Sequence, residues 1–148
     1  MAKKAAIGVF LPEPEEDVEQ MALFRWAAYN RGRWPELDLM FHIPNGGKRS
    51  KTEAARFKEL GVKAGVSDVF LPVARNGCHG LWIEMKRLRS GRPTADQIEW
   101  IESMIKQGYA ATVCHGWEQA VKVIEEYMGG IRNENERIPA AGTEDGEH

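Results

Sequence analysis

Cysteine and long apolar runs are both scarce in this sequence of 148 residues. The two cysteines, Cys78 and Cys114, do not form a C-x-x-C pair, so they offer no disulfide framework of the kind that small secreted folds use. No apolar run approaches the roughly 18 residues that cross a bilayer, and residues 1–8 lack the apolar segment of a signal peptide. These absences argue against a membrane span and a disulfide-stapled fold, and we expect a cytoplasmic protein.

Neither sign of charge dominates, since 20 Lys and Arg oppose 22 Asp and Glu, which gives a net charge of −2. The charges are nevertheless segregated along the chain. Residues 42–93 hold eleven basic and four acidic side chains, so this basic segment carries +7 and the rest of the chain carries −9. Such a run is usually a solvated face. It indicates a phosphate-binding surface only if catalytic residues lie in the same segment.

Alternating helix and strand patterns predict an α/β fold with a mixed sheet flanked by helices. The predicted order is α-β-α-β-β-α-β-α, over residues 15–30, 37–43, 52–60, 68–72, 80–86, 95–107, 109–115 and 117–128. The turn signal Asn76-Gly77 joins the fourth and fifth elements into a hairpin. We therefore expect one domain over 15–128, preceded by an extended arm over 1–14 and followed by a disordered acidic tail over 129–148.

The strand over 80–86 carries the first chemically informative pattern. Alternation places Glu84 and Lys86 on the same face, although a lone E-x-K is more often a surface pair. Asp68 stands sixteen residues before Glu84, at the start of the partner strand, so the hairpin can bring the two carboxylates together. Two carboxylates that close repel by roughly 4 kcal/mol at an effective dielectric of about 20. A divalent metal resolves the repulsion, Mg²⁺ suits oxygen ligands, and Lys86 can orient or deprotonate an attacking water.

Two further side chains each have two interpretations. Glu19 falls in the apolar half of the first helix, where an unpaired carboxylate is costly. It is either a third acid for the metal or a first-turn glutamate favoured by the helix dipole, and Glu15 lies on much the same face. Gln97 forms a capping box with Thr94, yet it also shares the apolar face of its helix, which would direct its amide inward.

In combination these elements resemble the VRR-NUC family, the virus-type replication-repair nucleases of the PD-(D/E)xK superfamily. The matching segments follow the family's order over roughly residues 15 to 128: Glu19-Gln20, Asn45-Gly46-Gly47-Lys48-Arg49, Gly65-Val66-Ser67-Asp68, Ile83-Glu84-Met85-Lys86 and Gln97. Ser67 stands where the superfamily usually has proline. The resemblance implies a restriction-endonuclease-like core and Mg²⁺- or Mn²⁺-dependent hydrolysis of DNA phosphodiester bonds.

The resemblance also implies roles for particular residues. The metal ligands that it implies are Asp68, Glu84, Glu19 and the main-chain carbonyl of Met85, and the catalytic site is completed by Lys86 and Gln97. Stand-alone phage-type members are similar to this chain in length, and some act as homodimers on branched DNA such as four-way junctions. We therefore expect a homodimeric, structure-selective endonuclease of a phage or its bacterial host, acting in replication, recombination or repair.

With such a site in the basic segment, phosphate contacts become the expected role of the residues that flank it. The expected DNA-binding residues are Asn45, Lys48, Arg49, Arg87, Arg89 and Arg92. Contacts of this kind set position and salt dependence rather than base specificity. No predicted helix is rich in base-reading side chains, which favours selection of DNA structure over sequence.

Other classes of protein fit the sequence less well. A zinc site from Cys78-His79 and Cys114-His115 is disfavoured because adjacent strand residues point to opposite faces. His42-x-x-Asn45 lacks the second histidine of an HNH nuclease, and the glycines form neither a G-x-G-x-x-G fingerprint nor a P-loop. The remaining alternative is a DNA-binding module that keeps a nuclease-like fold without catalysis.

Overall fold

The structure is a computed structural model that describes residues 12–45 and 49–129. Its elements are α1 (Glu16–Tyr29), a 3₁₀ helix (Pro35–Leu39), β1 (Phe41–His42), α2 (Lys51–Glu59), β2 (Val69–Leu71), β3 (Leu81–Lys86), α3 (Ala95–Lys106), β4 (Ala110–His115) and α4 (Trp117–Gly129). The predicted α/β class and the order of helices and strands are confirmed. Residues 1–11, most of the predicted arm, and residues 130–148 of the predicted tail lie outside the described ranges.

The four strands form one mixed sheet in the order β1-β2-β3-β4. The first three strands are antiparallel neighbours, and β3 pairs with β4 in parallel after the crossover through α3. The β2–β3 hairpin turns at Asn76 and Gly77, whose φ angles are 51° and 77°. Two successive residues with positive φ are what a type I′ turn requires. The Asn-Gly signal in the sequence therefore marked the turn correctly.

The two faces of the sheet bury different kinds of side chain. One face supplies the aliphatic core, which packs against Leu23 and Ala27 of α1 and against α4. On the opposite face Trp82 stacks on Phe70 with ring centroids 4.1 Å apart and meets Trp100 of α3 edge-on at 5.3 Å. Alternation along β3 puts Glu84 and Lys86 on this aromatic face, at the end of the strand beyond Trp82.

The predicted strand over 37–43 was wrong for most of its length. Residues 35–39 form a 3₁₀ helix that begins at Pro35, and only Phe41 and His42 pair with β2. Leu37 and Met40, three residues apart, are buried, whereas Leu39 is exposed. The burial period is therefore that of a 3₁₀ helix rather than the alternation of a strand.

Each remaining predicted element is present within a few residues of its expected bounds. Two capping boxes start the helices that follow loops: Ser50 with Glu53 for α2, and Thr94 with Gln97 for α3. Among the helices of the described ranges, none combines the length and the apolar character needed to span a bilayer.

Candidate active site

The β2–β3 register brings Asp68 and Glu84 to the same place in the sheet. Val69 is paired with Ile83, so one further step places Asp68 opposite Glu84, and opposite residues of an antiparallel pair share a face. Asp68 Oδ2 also accepts a hydrogen bond of 2.8 Å from the backbone N–H of Met85. The half-buried Asp68 carboxylate is therefore fixed against the β3 backbone beside Glu84.

The backbone of Asp68 is held from the other side by β1. Its carbonyl oxygen accepts hydrogen bonds from the Ile43 N–H at 2.8 Å and contacts His42 Nδ1 at 2.7 Å. The preceding loop packs closely on the start of α3 at Gly65, which has φ +87° and lies so near the backbone that a Cβ there would be 2.5 Å from the Asp96 carbonyl oxygen. Only glycine fits this approach, which sets the path of the chain into Asp68.

Glu84 is the most deeply buried carboxylate of the described residues, with 1% of its surface exposed. Its Oε2 atom has no hydrogen-bond partner among the described residues. Burial, followed by the negative charge of Asp68, raises the pKa of Glu84 to about 8, while Lys86 acts in the opposite direction. This carboxylate is costly to ionise until a cation compensates it.

Lys86 lies between two carboxylates and is only 7% exposed. Its Nζ is 3.5 Å from Glu84 Oε1 and 3.7 Å from Glu16 Oε1. The contact with Glu16 was not predicted, because the helical pattern of α1 singled out Glu19 and Glu15. The ammonium group is thus held at the edge of the carboxylate pair, where it can reach a substrate oxygen or a water.

Glu19 is buried, as its position in the apolar half of α1 indicated, and its partner is the start of α4. Glu19 Oε2 accepts a hydrogen bond of 2.8 Å from the Trp117 N–H. A negative side chain at a helix N-terminus is favoured by the helix dipole, here the dipole of a helix 98 residues away in sequence. In the structure Glu19 therefore ties α1 to α4 and does not join the Asp68–Glu84 pair.

Gln97 follows the capping interpretation. Its Oε1 accepts from the Thr94 N–H at 2.8 Å, and the Thr94 hydroxyl accepts from the Gln97 N–H at 3.2 Å. Both ends of the capping box are made, so the structure uses the amide to begin α3. The side-chain oxygen of Gln97, like one oxygen of Glu19, is therefore used in a structural contact.

The donor set for a metal is consequently small. Within residues 12–45 and 49–129, the structure contains no cluster of three or more His, Cys, Asp or Glu side chains suited to a metal ion. Two carboxylates remain, from Asp68 and Glu84. The unpartnered Glu84 oxygen and the raised pKa of that carboxyl group fit a site that binds a cation. Two carboxylates suffice for Mg²⁺, since this ion uses one or two carboxylates and keeps several waters.

Comparison with known proteins decides the family. The model of the VRR-NUC domain matches residues 15–118, which is more than half of the chain. The chain belongs to the VRR-NUC family. The protein is thus related to nucleases, and the family implies DNA as its substrate.

A solved structure described as a VRR_NUC domain protein supports the same assignment. It is 35% identical to this chain, with a TM-score of 0.70, and the match covers 80% of this chain and 92% of the other. The comparison with curated proteins gave no match. The fold and the resemblance predicted from the sequence are both confirmed.

The arginines that the sequence offered for DNA binding fall in two segments of this VRR-NUC domain. Arg87, Arg89 and Arg92 follow β3 in one loop, and Arg87 forms an ion pair of 3.1 Å with Glu15. Arg49 stands shortly before α2, with its guanidinium 4.2 Å from the centre of the Phe57 ring. Lys48 falls outside the described residues.

Asn45 has a structural contact beside any role in binding. Its side-chain amide donates a hydrogen bond of 2.5 Å to the carbonyl oxygen of Lys63. This bond links the end of the β1 region to the loop that leads into β2. Asn45 therefore helps to position that loop, and contact with DNA stays a prediction.

Proposed function

We propose that this VRR-NUC protein is a Mg²⁺- or Mn²⁺-dependent endonuclease that hydrolyses DNA phosphodiester bonds and prefers branched DNA. The observation that carries the proposal is the buried Glu84, which stands opposite Asp68 with one oxygen unpartnered among the described residues. A buried carboxylate in this state is destabilising for the protein alone. A bound cation at this position would compensate the charge of Glu84, as metal-dependent hydrolysis requires.

Asp68 and Glu84 would hold the ion through their carboxylates, and the Met85 main-chain carbonyl would contribute from the backbone beside Asp68. When bound, the ion supplies positive charge to the phosphoryl oxygens and an activated water. Lys86 has two tasks that follow from its position 3.5 Å from Glu84 Oε1. Its Nζ can donate a hydrogen bond to the attacked phosphate, and it can orient the attacking water.

Glu19 would become a ligand only if its carboxylate, one oxygen of which accepts from the Trp117 N–H, came closer to the Asp68–Glu84 pair. As that bond caps α4, we place Glu19 in the proposed site as a residue that fixes α1 and reaches the metal only if the site rearranges. The Gln97 amide oxygen likewise accepts from the Thr94 N–H, which fixes this side chain at the start of α3. The catalytic core of the proposal is therefore Asp68, Glu84 and Lys86.

Selection of branched DNA is proposed from two considerations. The basic side chains that flank the site in sequence, Arg49, Arg87, Arg89 and Arg92, suit contacts with phosphates, which carry no sequence information. Symmetric cleavage of a four-way junction further requires two sites related by a two-fold axis, so we propose that the protein works as a homodimer.

The test is cleavage of end-labelled four-way junction, flap, single-stranded and linear duplex DNA with Mg²⁺, Mn²⁺ or EDTA. We expect metal-dependent cutting with preference for the junction, and a loss of at least about 10²-fold in rate for Glu84→Gln and Lys86→Ala, the scale for removal of one electrostatic element of a catalytic site. Glu102→Gln is the matched control, because Glu102 is an exposed glutamate of α3. Equal rates in the control and in Glu84→Gln would refute the assignment of the site.

A DNA-binding module without catalysis is the second candidate. The observation in its favour is that Glu19 is engaged in helix capping, so that within residues 12–45 and 49–129 no third acid joins the carboxylate pair. The same assay separates the two candidates. Binding of DNA without product from any substrate, with either metal, would establish the module in place of the nuclease.

A further inference from the structure

The loop that follows β3 binds a carboxylate of the same chain through three donors. Glu13 Oε1 accepts hydrogen bonds from the backbone N–H groups of Arg89 at 2.5 Å and Ser90 at 2.8 Å, and Glu13 Oε2 accepts from the Ser90 hydroxyl. Successive backbone N–H groups that converge on one anion form a recurrent type of anion site in proteins. The Ser90 hydroxyl adds a third donor to this anion site. The loop therefore presents donors arranged to bind an oxyanion.

Two neighbouring glutamates form ion pairs with the cationic side chains beside this site. Glu15 Oε1 is 3.1 Å from the Arg87 guanidinium, and Glu16 Oε1 is 3.7 Å from Lys86 Nζ. The chain segment 13–16 thus places three carboxylates on backbone amides, a hydroxyl, a guanidinium and an ammonium. These are the groups by which proteins hold the phosphates of DNA.

We propose that the loop over residues 87–91 is a phosphate-binding loop, and that the carboxylates of the segment 13–16 occupy its donors in place of phosphate until DNA displaces these side chains. The inference rests on the proposed function, because it takes the natural ligand to be a DNA phosphate beside the catalytic site. It goes beyond the expected contacts of Arg87 and Arg89 by assigning the anion site to the backbone amides and to Ser90.

Exchange of the segment for a phosphate is energetically accessible. The donors of the loop stay satisfied when one oxyanion replaces another, so no buried group is left unpaired. The Glu15–Arg87 ion pair is open to solvent, with side-chain exposures of 76% and 37%, and exposed pairs of this kind contribute little stability. Glu13 lies before the N-cap Glu15, between Pro12 and Pro14, in a stretch without regular secondary structure, so release of Glu13 melts no helix or strand.

The first experiment measures the Kd of a fluorescein-labelled DNA duplex by anisotropy in EDTA, where binding is separate from cleavage. Glu13→Ala is compared with Asp17→Asn, which removes the same charge from an exposed position in the first turn of α1. A closed state that competes with DNA lowers the apparent affinity to the intrinsic affinity multiplied by the open fraction of the protein. We expect Glu13→Ala to bind roughly threefold to tenfold more tightly than Asp17→Asn, and Glu13→Gln to lie between them.

Ser90 provides the complementary variant. Addition of Ser90→Ala to Glu13→Ala removes one donor of the site and is expected to return part of the gained affinity. Equal Kd values for Glu13→Ala and Asp17→Asn would overturn the proposal, because Glu13 would then be a tether of the arm with no competition for DNA.

A second experiment is independent of DNA. Inorganic pyrophosphate is titrated into ¹⁵N-labelled wild type and Glu13→Ala, and the amide shifts of Arg89 and Ser90 are followed. We expect saturable shifts at these amides in the variant at lower pyrophosphate concentration than in the wild type, and their absence in the variant would overturn the anion site. If no form of the protein bound DNA while these shifts appeared, the nuclease proposal would fail and the anion site would stand.

Discussion

Glu84→Gln keeps the shape of a buried side chain and removes its charge, so we expect it to stabilise the metal-free protein at alkaline pH. The pKa of Glu84 in the folded protein is about 8, against an ordinary value of 4.5, mainly because the carboxyl group is buried and next because Asp68 is near. Between these two values the folded protein keeps a proton that the unfolded chain gives up. The stability of the wild type therefore falls as the pH rises through this window, and the contribution of protonated Glu84 is lost above about pH 8.

The magnitude follows from the size of the displacement. At roughly 1.4 kcal/mol per pH unit, the upper limit is about 5 kcal/mol. Relaxation and water penetration around an ionising buried group reduce this limit, so we expect about 2–3 kcal/mol of the free energy of unfolding to be lost between pH 5 and pH 9 through this group. For a protein of this length about 1 kcal/mol corresponds to roughly 2–4 °C in Tm.

The assay is thermal unfolding followed by circular dichroism in EDTA at pH 5 and pH 9. Wild type, Glu84→Gln and the exposed control Glu102→Gln share all other titrating groups, so the difference between their pH profiles isolates Glu84. We expect the Tm of Glu84→Gln to exceed that of the wild type at pH 9 by about 5–10 °C, with a much smaller difference at pH 5. Parallel profiles for wild type and Glu84→Gln would refute the role of burial in holding the proton.

Two further predictions concern the residues that position the site. Glu19→Ala removes the acceptor for the Trp117 N–H and is expected to lower the free energy of unfolding by about 1–2 kcal/mol in urea titrations. Glu19→Gln keeps an acceptor and should lose less stability. Equal losses for the two variants would contradict the capping role of Glu19. Gly65→Ala meets both a positive φ and the Asp96 backbone, so we expect a loss of about 1–3 kcal/mol, while Gly32→Ala, which meets no atom within 4 Å, serves as the control.

The hairpin that joins Asp68 to Glu84 could be predicted because its signals are local. Asn76-Gly77 specifies the turn, alternation in 80–86 specifies the face, and the short apolar run after Asp68 specifies the partner strand. The prediction of a strand over 37–43 was wrong because its local pattern was ambiguous. Its apolar residues are compatible with both the alternation of a strand and the three-residue period of a 3₁₀ helix. Pro35 and the burial of Leu37 and Met40 decided for the 3₁₀ helix.

The partners of the first helix could not be predicted from local signals. Glu19 was recognised as a buried acid, but its partner, Trp117, lies 98 residues further along the chain. Glu16 carries no signal that separates it from its acidic neighbours, and its contact with Lys86 depends on how α1 crosses the end of β3. Glu13 likewise meets Ser90 across 77 residues. Tertiary packing, which pattern and propensity do not encode, sets all three contacts.

The most direct test of the central claim is a time course of four-way junction cleavage in Mg²⁺ by wild type and by Glu84→Gln, with EDTA as the metal-free reference. The proposed site predicts product from the wild type in Mg²⁺ and essentially none from Glu84→Gln or in EDTA. Product at the same rate from Glu84→Gln, or from the wild type in EDTA, would contradict a metal-dependent nuclease centred on Asp68 and Glu84.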